Sequence, residues 1–225
     1  MRAMQRTAEM RWFFAGPIPA LVRAWFLSGG LAADDEPRTD RYLLFPSTTV
    51  GVKFRQGNLE IKPLVEEHGE YRWGGVGGRM QTWVKWSCSA PEVGALRRRI
   101  VASRSLSIAV KKGRAMRTFS CERGLREVEA RTWPRAGCHV ELTDLLVGRR
   151  RYWTFGFEAF AAARPHRLPL FLLRTAKRVL GDAQRPRSFR TAQSTRDSFR
   201  TARSLSYPEW LLRSARNAPP AQAGR

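Results

Sequence analysis

Nine short runs of alternating apolar and polar residues follow one another between Asp40 and Phe160, spaced about ten residues apart. They are Asp40–Phe45, Val50–Arg55, Asn58–Leu64, Arg79–Ser87, Leu106–Lys112, Arg114–Cys121, Leu125–Thr132, Cys138–Leu146 and Arg151–Phe160. A further short run, residues 9–14, precedes them. Such a series predicts a meander, and within one domain a meander closes on itself to remove its edges. The expected fold class is therefore α+β: an antiparallel closed β-barrel of about eight strands, with flanking helices and a basic C-terminal extension.

The punctuation between the runs supports this order. Gln56-Gly57 separates Val52-Lys53-Phe54-Arg55 from Asn58-Leu59-Glu60-Ile61-Lys62 and predicts a tight hairpin. Gly74-Gly75-Val76-Gly77-Gly78 has no helical pattern behind it and reads as a hairpin or loop, not a phosphate cradle. Pro91–Arg99 is ambiguous between a connection and a helical turn. Pro19–Leu27 reads as a helix with proline in its first turn, and Leu168–Leu180 as a second helix ended by Gly181. The division expected is a barrel over 1–163, a helix packed on it over 164–182, and a basic tail of low order over 183–225. In that tail Ser188-Phe189-Arg190-Thr191-Ala192 recurs as Ser198-Phe199-Arg200-Thr201-Ala202, and Tyr207–Leu212 is an apolar patch suited to anchor it.

Composition narrows the partners. The 225 residues carry 41 Lys+Arg, only six of them lysine, against 19 Asp+Glu, a formal charge of +22. That balance points to an anionic partner, although arginine-rich composition also arises by drift in GC-rich genomes. Half of the excess, +11, lies in residues 164–225. An apolar fraction of 43% is enough for a core and excludes a wholly disordered basic chain. Cys88, Cys121 and Cys138 are scattered, and His68, His139 and His166 are isolated, so neither a zinc site nor a disulfide framework is expected. The apolar stretch Trp12–Leu27 is too interrupted for a leader and too short for a span, so a cytoplasmic protein without a membrane span is expected.

Charge alternation within the runs carries the chemistry. Side chains two apart share a strand face. Lys53 and Arg55 share one, as do Glu60 and Lys62, and Arg79, Gln81, Trp83 and Lys85 are of one parity. Lys112 and Arg114 share a face if their strand runs through Gly113. Turned inward, such cations would cage an anion where the low dielectric strengthens each contact. Turned outward, they would be the solvated face of a sheet.

The order of elements resembles the CYTH, or triphosphate tunnel, superfamily. Glu9-Met10-Arg11-Trp12-Phe13 stands where that family has E-x-E-x-K, and Pro19–Leu27 follows as its helix. Asp40-Arg41-Tyr42-Leu43-Leu44 resembles its second strand, and Val52–Arg55 with Leu59–Lys62 is the closest local match. Val110-Lys111-Lys112-Gly113-Arg114 resembles a later basic strand, and Val140–Asp144 with Tyr152–Glu158 resembles its closing acidic hairpin. The resemblance implies a phosphate-binding set of Lys53, Arg55, Lys62, Arg79, Lys85, Lys111 and Arg114. It implies Mg²⁺ or Mn²⁺ on Glu9, Glu141 and Glu158, with Glu9 and Glu158 as the catalytic carboxylates of a metal-dependent triphosphatase. Arg11, Phe13 and Gly156 depart from the motif, each where the family has a charged residue.

The function expected is binding of a triphosphate- or polyphosphate-like anion in a basic lumen, with weak metal-dependent hydrolysis left open. Two alternatives stand beside it. One is nucleic-acid binding through the basic surface and the tail, whose Phe189, Phe199, Tyr207 and Trp210 alternate with arginines. The other is a catalytically dead barrel serving as an interaction module.

Overall fold

A computed structural model describes residues 4–28, 31–34, 37–73, 76–89, 91–103, 106–130, 132–181, 199 and 202–216. Its strands are β1 (Gln5–Ala15), β2 (Ala33–Asp34), β3 (Arg38–Leu43), β4 (Val50–Arg55), β5 (Asn58–Trp73), β6 (Val76–Cys88), β7 (Ser107–Ser120), β8 (Arg126–Val128), β9 (Ala136–Val147) and β10 (Arg150–Ala161). The helices are α1 (Ala20–Leu27), α2 (Pro91–Ala102), α3 (Leu168–Gly181) and α4 (Tyr207–Arg216). Eight strands close an antiparallel barrel in the order β1, β6, β5, β4, β3, β7, β9, β10, and β10 pairs back onto β1. The short β2 and β8 run on along β7 beyond the end of β3.

Local chemistry accounts for several of these elements. Gln56 and Gly57 both take positive φ, 47° and 83°, which suits the turn between β4 and β5 to the twist of the strands. The runs Leu106–Lys112 and Arg114–Cys121 are one strand, β7, continuous through Gly113. Of the two readings open for Pro91–Arg99 the helical one holds, over Pro91–Ala102, and Leu125–Thr132 keeps only three residues of strand. β5 reaches Trp73, nine residues beyond the expected end, because it pairs with β6 through two register shifts that break the alternation.

The two faces of the barrel wall are chemically opposite. Ala8, Met10 and Trp12 of β1 point outward, as do Phe155, Phe157 and Ala159, their direct cross-strand partners on β10. Val22 and Phe26 of α1 and Leu168, Leu172 and Ala176 of α3 cover that outer face, and all are fully buried. Each such large side chain contributes about 1.5–3 kcal/mol by leaving water. Phe199, from the second copy of the repeat, is buried against Trp12, Phe14, Trp153 and Phe155. The first copy lies outside the described residues.

The wall has one seam. β1 pairs with β6 only over Gln5–Glu9; beyond that point β6 lifts onto the side chains of Met10 and Trp12. Glycine at 78 permits this, since any Cβ there would collide with both. Residues 202–206 enter the opening. The Arg11 carbonyl accepts from the Leu205 amide (3.0 Å) and the Ser204 hydroxyl (3.1 Å), while the Arg79 amide donates to Ser204 Oγ (2.9 Å). α4 then closes that end of the lumen. Its Trp210 stacks on Phe13 at 4.6 Å, and its Tyr207 on Tyr42 at 5.5 Å.

Candidate functional site

Inside the barrel is a cavity of about 270 Å³. Register decides which side chains face it. Glu9 lies opposite Glu158, Arg11 opposite Gly156, and Gly156 opposite Glu141, so all of them project to the inner face. Tyr42 opposite Lys53, and Lys53 opposite Glu60, continue that face around the other wall. Lys53, Arg55, Lys62, Arg79, Lys85 and Arg114 therefore converge on one lumen, together with Glu9, Glu141 and Glu158. Lys111 does not join them: it is exposed, and the inward side chain is its neighbour Lys112. The strand runs straight through Gly113, so parity with Arg114 falls on 112.

One level of the cavity is built around Asp40, whose side chain is fully buried. Arg55 Nε (3.1 Å), Lys112 Nζ (3.2 Å), Lys53 Nζ (3.3 Å) and Arg38 Nε (3.6 Å) all reach its carboxylate. Glu60 shares Lys53 at 3.1 Å and Arg55 at 3.6 Å. Lys112 also donates to the Tyr42 hydroxyl at 2.6 Å and lies 4.0 Å above the Tyr207 ring. Burial would raise the Asp40 pKa, but Lys53, Lys112 and Arg55 outweigh it and hold the carboxyl well below its usual range. Burial has the opposite effect on the lysines. It pushes Lys53 down to about 7, with Arg55 adding repulsion, and Lys112 down to about 7 despite the pull of Asp40.

The second level is balanced acid against base. Arg11 Nη2 donates to Glu141 at 2.6 Å and Nη1 to Thr154 Oγ1 at 3.1 Å; Arg114 binds the other Glu141 oxygen. Lys62 binds Glu9, which also accepts from Thr7 Oγ1 at 2.7 Å. Burial opposes ionisation of Glu141 and Glu158, yet Arg114 and Arg11 hold the first, and Lys62 the second, below the usual carboxylate range. Among the described residues no three His, Cys, Asp or Glu side chains are disposed to hold a metal ion. Resident cations bind Glu9 and Glu141, and Lys62 acts on Glu158 through its charge.

Several residues of the site were not expected in the lumen. Asp40 is central, and His139, expected as an isolated residue, lines the lumen with its Nδ1 3.1 Å from Thr118 Oγ1. Trp133, 77% exposed, stands at the open mouth. From the C-terminal segment, Tyr207 faces the cavity and Glu209 binds Arg79. The alternation of Asp40 with Tyr42 could have revealed the first; nothing local announces the others. Phe199 and Trp210 are buried in the protein, so neither ring is presented to a base; Phe189 lies outside the described residues. Among the described residues no helix is long and apolar enough to cross a membrane. No known family model matches the sequence, and no curated protein matches it significantly.

Proposed function

We propose that the barrel lumen binds a compact polyanion of the triphosphate or polyphosphate type. The observation that carries this reading is the imbalance of charge around one enclosed cavity. Nine cationic side chains line it against four acidic ones, and the Asp40 and Glu209 carboxylates still leave the cations three in excess. Buried like charges at this density repel, and a bound anion relieves that repulsion. The volume, about 270 Å³, is below the roughly 300–1,000 Å³ of sites for drug-sized ligands and suits a small anion.

The closed eight-stranded antiparallel barrel is compatible with the triphosphate tunnel architecture that the order of motifs resembles. Binding needs only the cations, whereas hydrolysis would need carboxylates that now hold Arg11, Arg114 and Lys62. The reading is therefore of an anion receptor first.

Calorimetric titration with tripolyphosphate, orthophosphate and ATP tests it. Wild type should bind tripolyphosphate, and Lys53→Ala/Arg55→Ala should lose at least about tenfold in affinity, the scale of one charged hydrogen bond. Lys85→Gln, which leaves the Asp40 cluster intact, should lose a smaller part. No binding of any of these anions to folded wild type would overturn the reading and favour an interaction module.

A further inference from the structure

Arg11 holds a peculiar place in the lumen. It is only 7% exposed, and its guanidinium lies flat over the backbone of Gly156: a Cβ at 156 would stand 2.9 Å from Cζ and 3.1 Å from Nη1. The absent side chain at 156 and the arginine at 11 are thus one arrangement. Arginine fits there because the opposite strand presents bare backbone. From that position it reaches Glu141 and Thr154 while still lining the cavity.

Around it the acids and their nearest cations match. Glu9, Glu141 and Glu158 are the acids at this level, Lys62, Arg11 and Arg114 are the cations nearest them, and His139 and Lys85 add a weaker field on Glu158. A guanidinium keeps its charge in a protein, so Arg11 is a fixed cation beside Glu141. A divalent ion entering among these carboxylates would meet three fixed positive charges and would have to displace at least one. A planar guanidinium also carries five donors, more than Glu141 and Thr154 use, and can turn the remainder toward ligand oxygens.

The geometry points to Arg11 as the resident cation of the site: bound to Glu141 and Thr154 over bare Gly156, it takes the place of a divalent metal, and the lumen binds its anion without one. This rests on the anion reading above. It assigns the carboxylates to holding the cations in position, and it assigns the chemistry of recognition to nitrogen donors alone.

Two arms test it separately. In the first, Mn²⁺ is titrated into the full chain without anion and followed by electron paramagnetic resonance. Wild type should leave the free Mn²⁺ signal undiminished, and Arg11→Gln, which frees Glu141 from one cation, should take up Mn²⁺. Stoichiometric uptake by wild type that is lost in Glu141→Gln overturns the assignment of Arg11 and needs no charge-altered arginine variant to fold. In the second, tripolyphosphate is titrated in EDTA and then in excess Mg²⁺. Binding should be full in EDTA and weaker in Mg²⁺, which complexes the anion in solution; binding only in Mg²⁺ overturns the proposal. Absence of tripolyphosphate binding in both buffers would remove the anion reading, and the Mn²⁺ arm would still decide on Arg11.

Discussion

At one level of the lumen Asp40 and Glu60 face four cations, Arg38, Lys53, Arg55 and Lys112; at the other, Glu9, Glu141 and Glu158 face Lys62, Arg11 and Arg114. The two levels are made of the same residue types on neighbouring strands. What differs is the ratio, and the ratio assigns their roles. A balanced set satisfies itself and becomes part of the wall. An over-supplied set presents its full charge to the cavity only below about pH 7, since burial and mutual repulsion disfavour the ammonium form of Lys53 and Lys112. On the anion reading proposed above, the Asp40 level would supply most of the charge that meets an anion, and Arg11 at the other level would add the donors that Glu141 and Thr154 leave over.

The sharpest way to break this contrast is Asp40→Asn. Removing the one buried carboxylate that four cations share should cost about 3–5 kcal/mol in denaturant unfolding, and millimolar sulfate should return part of it. Glu158→Gln, at the balanced level, should cost less and show no such rescue; equal losses with equal rescue would dissolve the distinction. Next in size is Gly156→Ala. Its Cβ would press on the Arg11 guanidinium, and overpacking of this kind costs about 1–3 kcal/mol. Stability unchanged in that variant would mean that Arg11 is not pinned as described.

A pH experiment addresses the over-supplied level alone. Methanedisulfonate, a diphosphate-shaped anion, keeps its charge across the neutral range, so any change belongs to the protein. Lys53 and Lys112 lose their charge as pH rises through about 7, and affinity should fall by about tenfold between pH 6 and 8.5. Stability without ligand should move the other way. Above pH 7 the folded lysines have released protons that unfolded lysines keep up to their ordinary value of 10.5, so unfolding takes up protons and folding is favoured as pH rises through that window. Smallest of all is Glu209→Gln. It should release Arg79 to the cavity and raise anion affinity by roughly threefold, the scale of one partly exposed ion pair.

Much of the cationic lining of the lumen could be read from the chain because strand parity is local. Arg79, Gln81, Trp83 and Lys85 share a parity on paper and face the lumen in space, and Lys53 with Arg55 does the same. The same rule identifies Lys112 over Lys111, where matching a motif by likeness had favoured the wrong neighbour. The long end of β5 was not legible, because bulges at Leu64/Glu66 and Glu67/Glu70 break the alternation that marks a strand. Nor was the role of Arg11. As a residue it reads as a lost acid, and only the facing Gly156, 145 positions away, shows that a different cation has a place prepared for it. The C-terminal closure is more remote still: an apolar patch at Tyr207–Leu212 says that something is covered, and only the folded chain says that it is the lumen.

The seam between β1 and β6 has a consequence for biosynthesis. The inner strand edge at Arg11–Trp12 finds its backbone partners at Ser204 and Leu205, 193 residues later. Until residue 206 clears the ribosome, the nascent chain carries an unpaired edge flanked by Trp12, Phe13 and Phe14, the kind of surface on which strands of other chains can add. β10 can close the barrel on β1 before then, but filling the seam must wait on residues 204 and 205, and contacts so distant in sequence form slowly. A chain cut short before residue 202 would lack the Ser204 and Leu205 partners of that edge and is expected to self-associate more readily than the full chain.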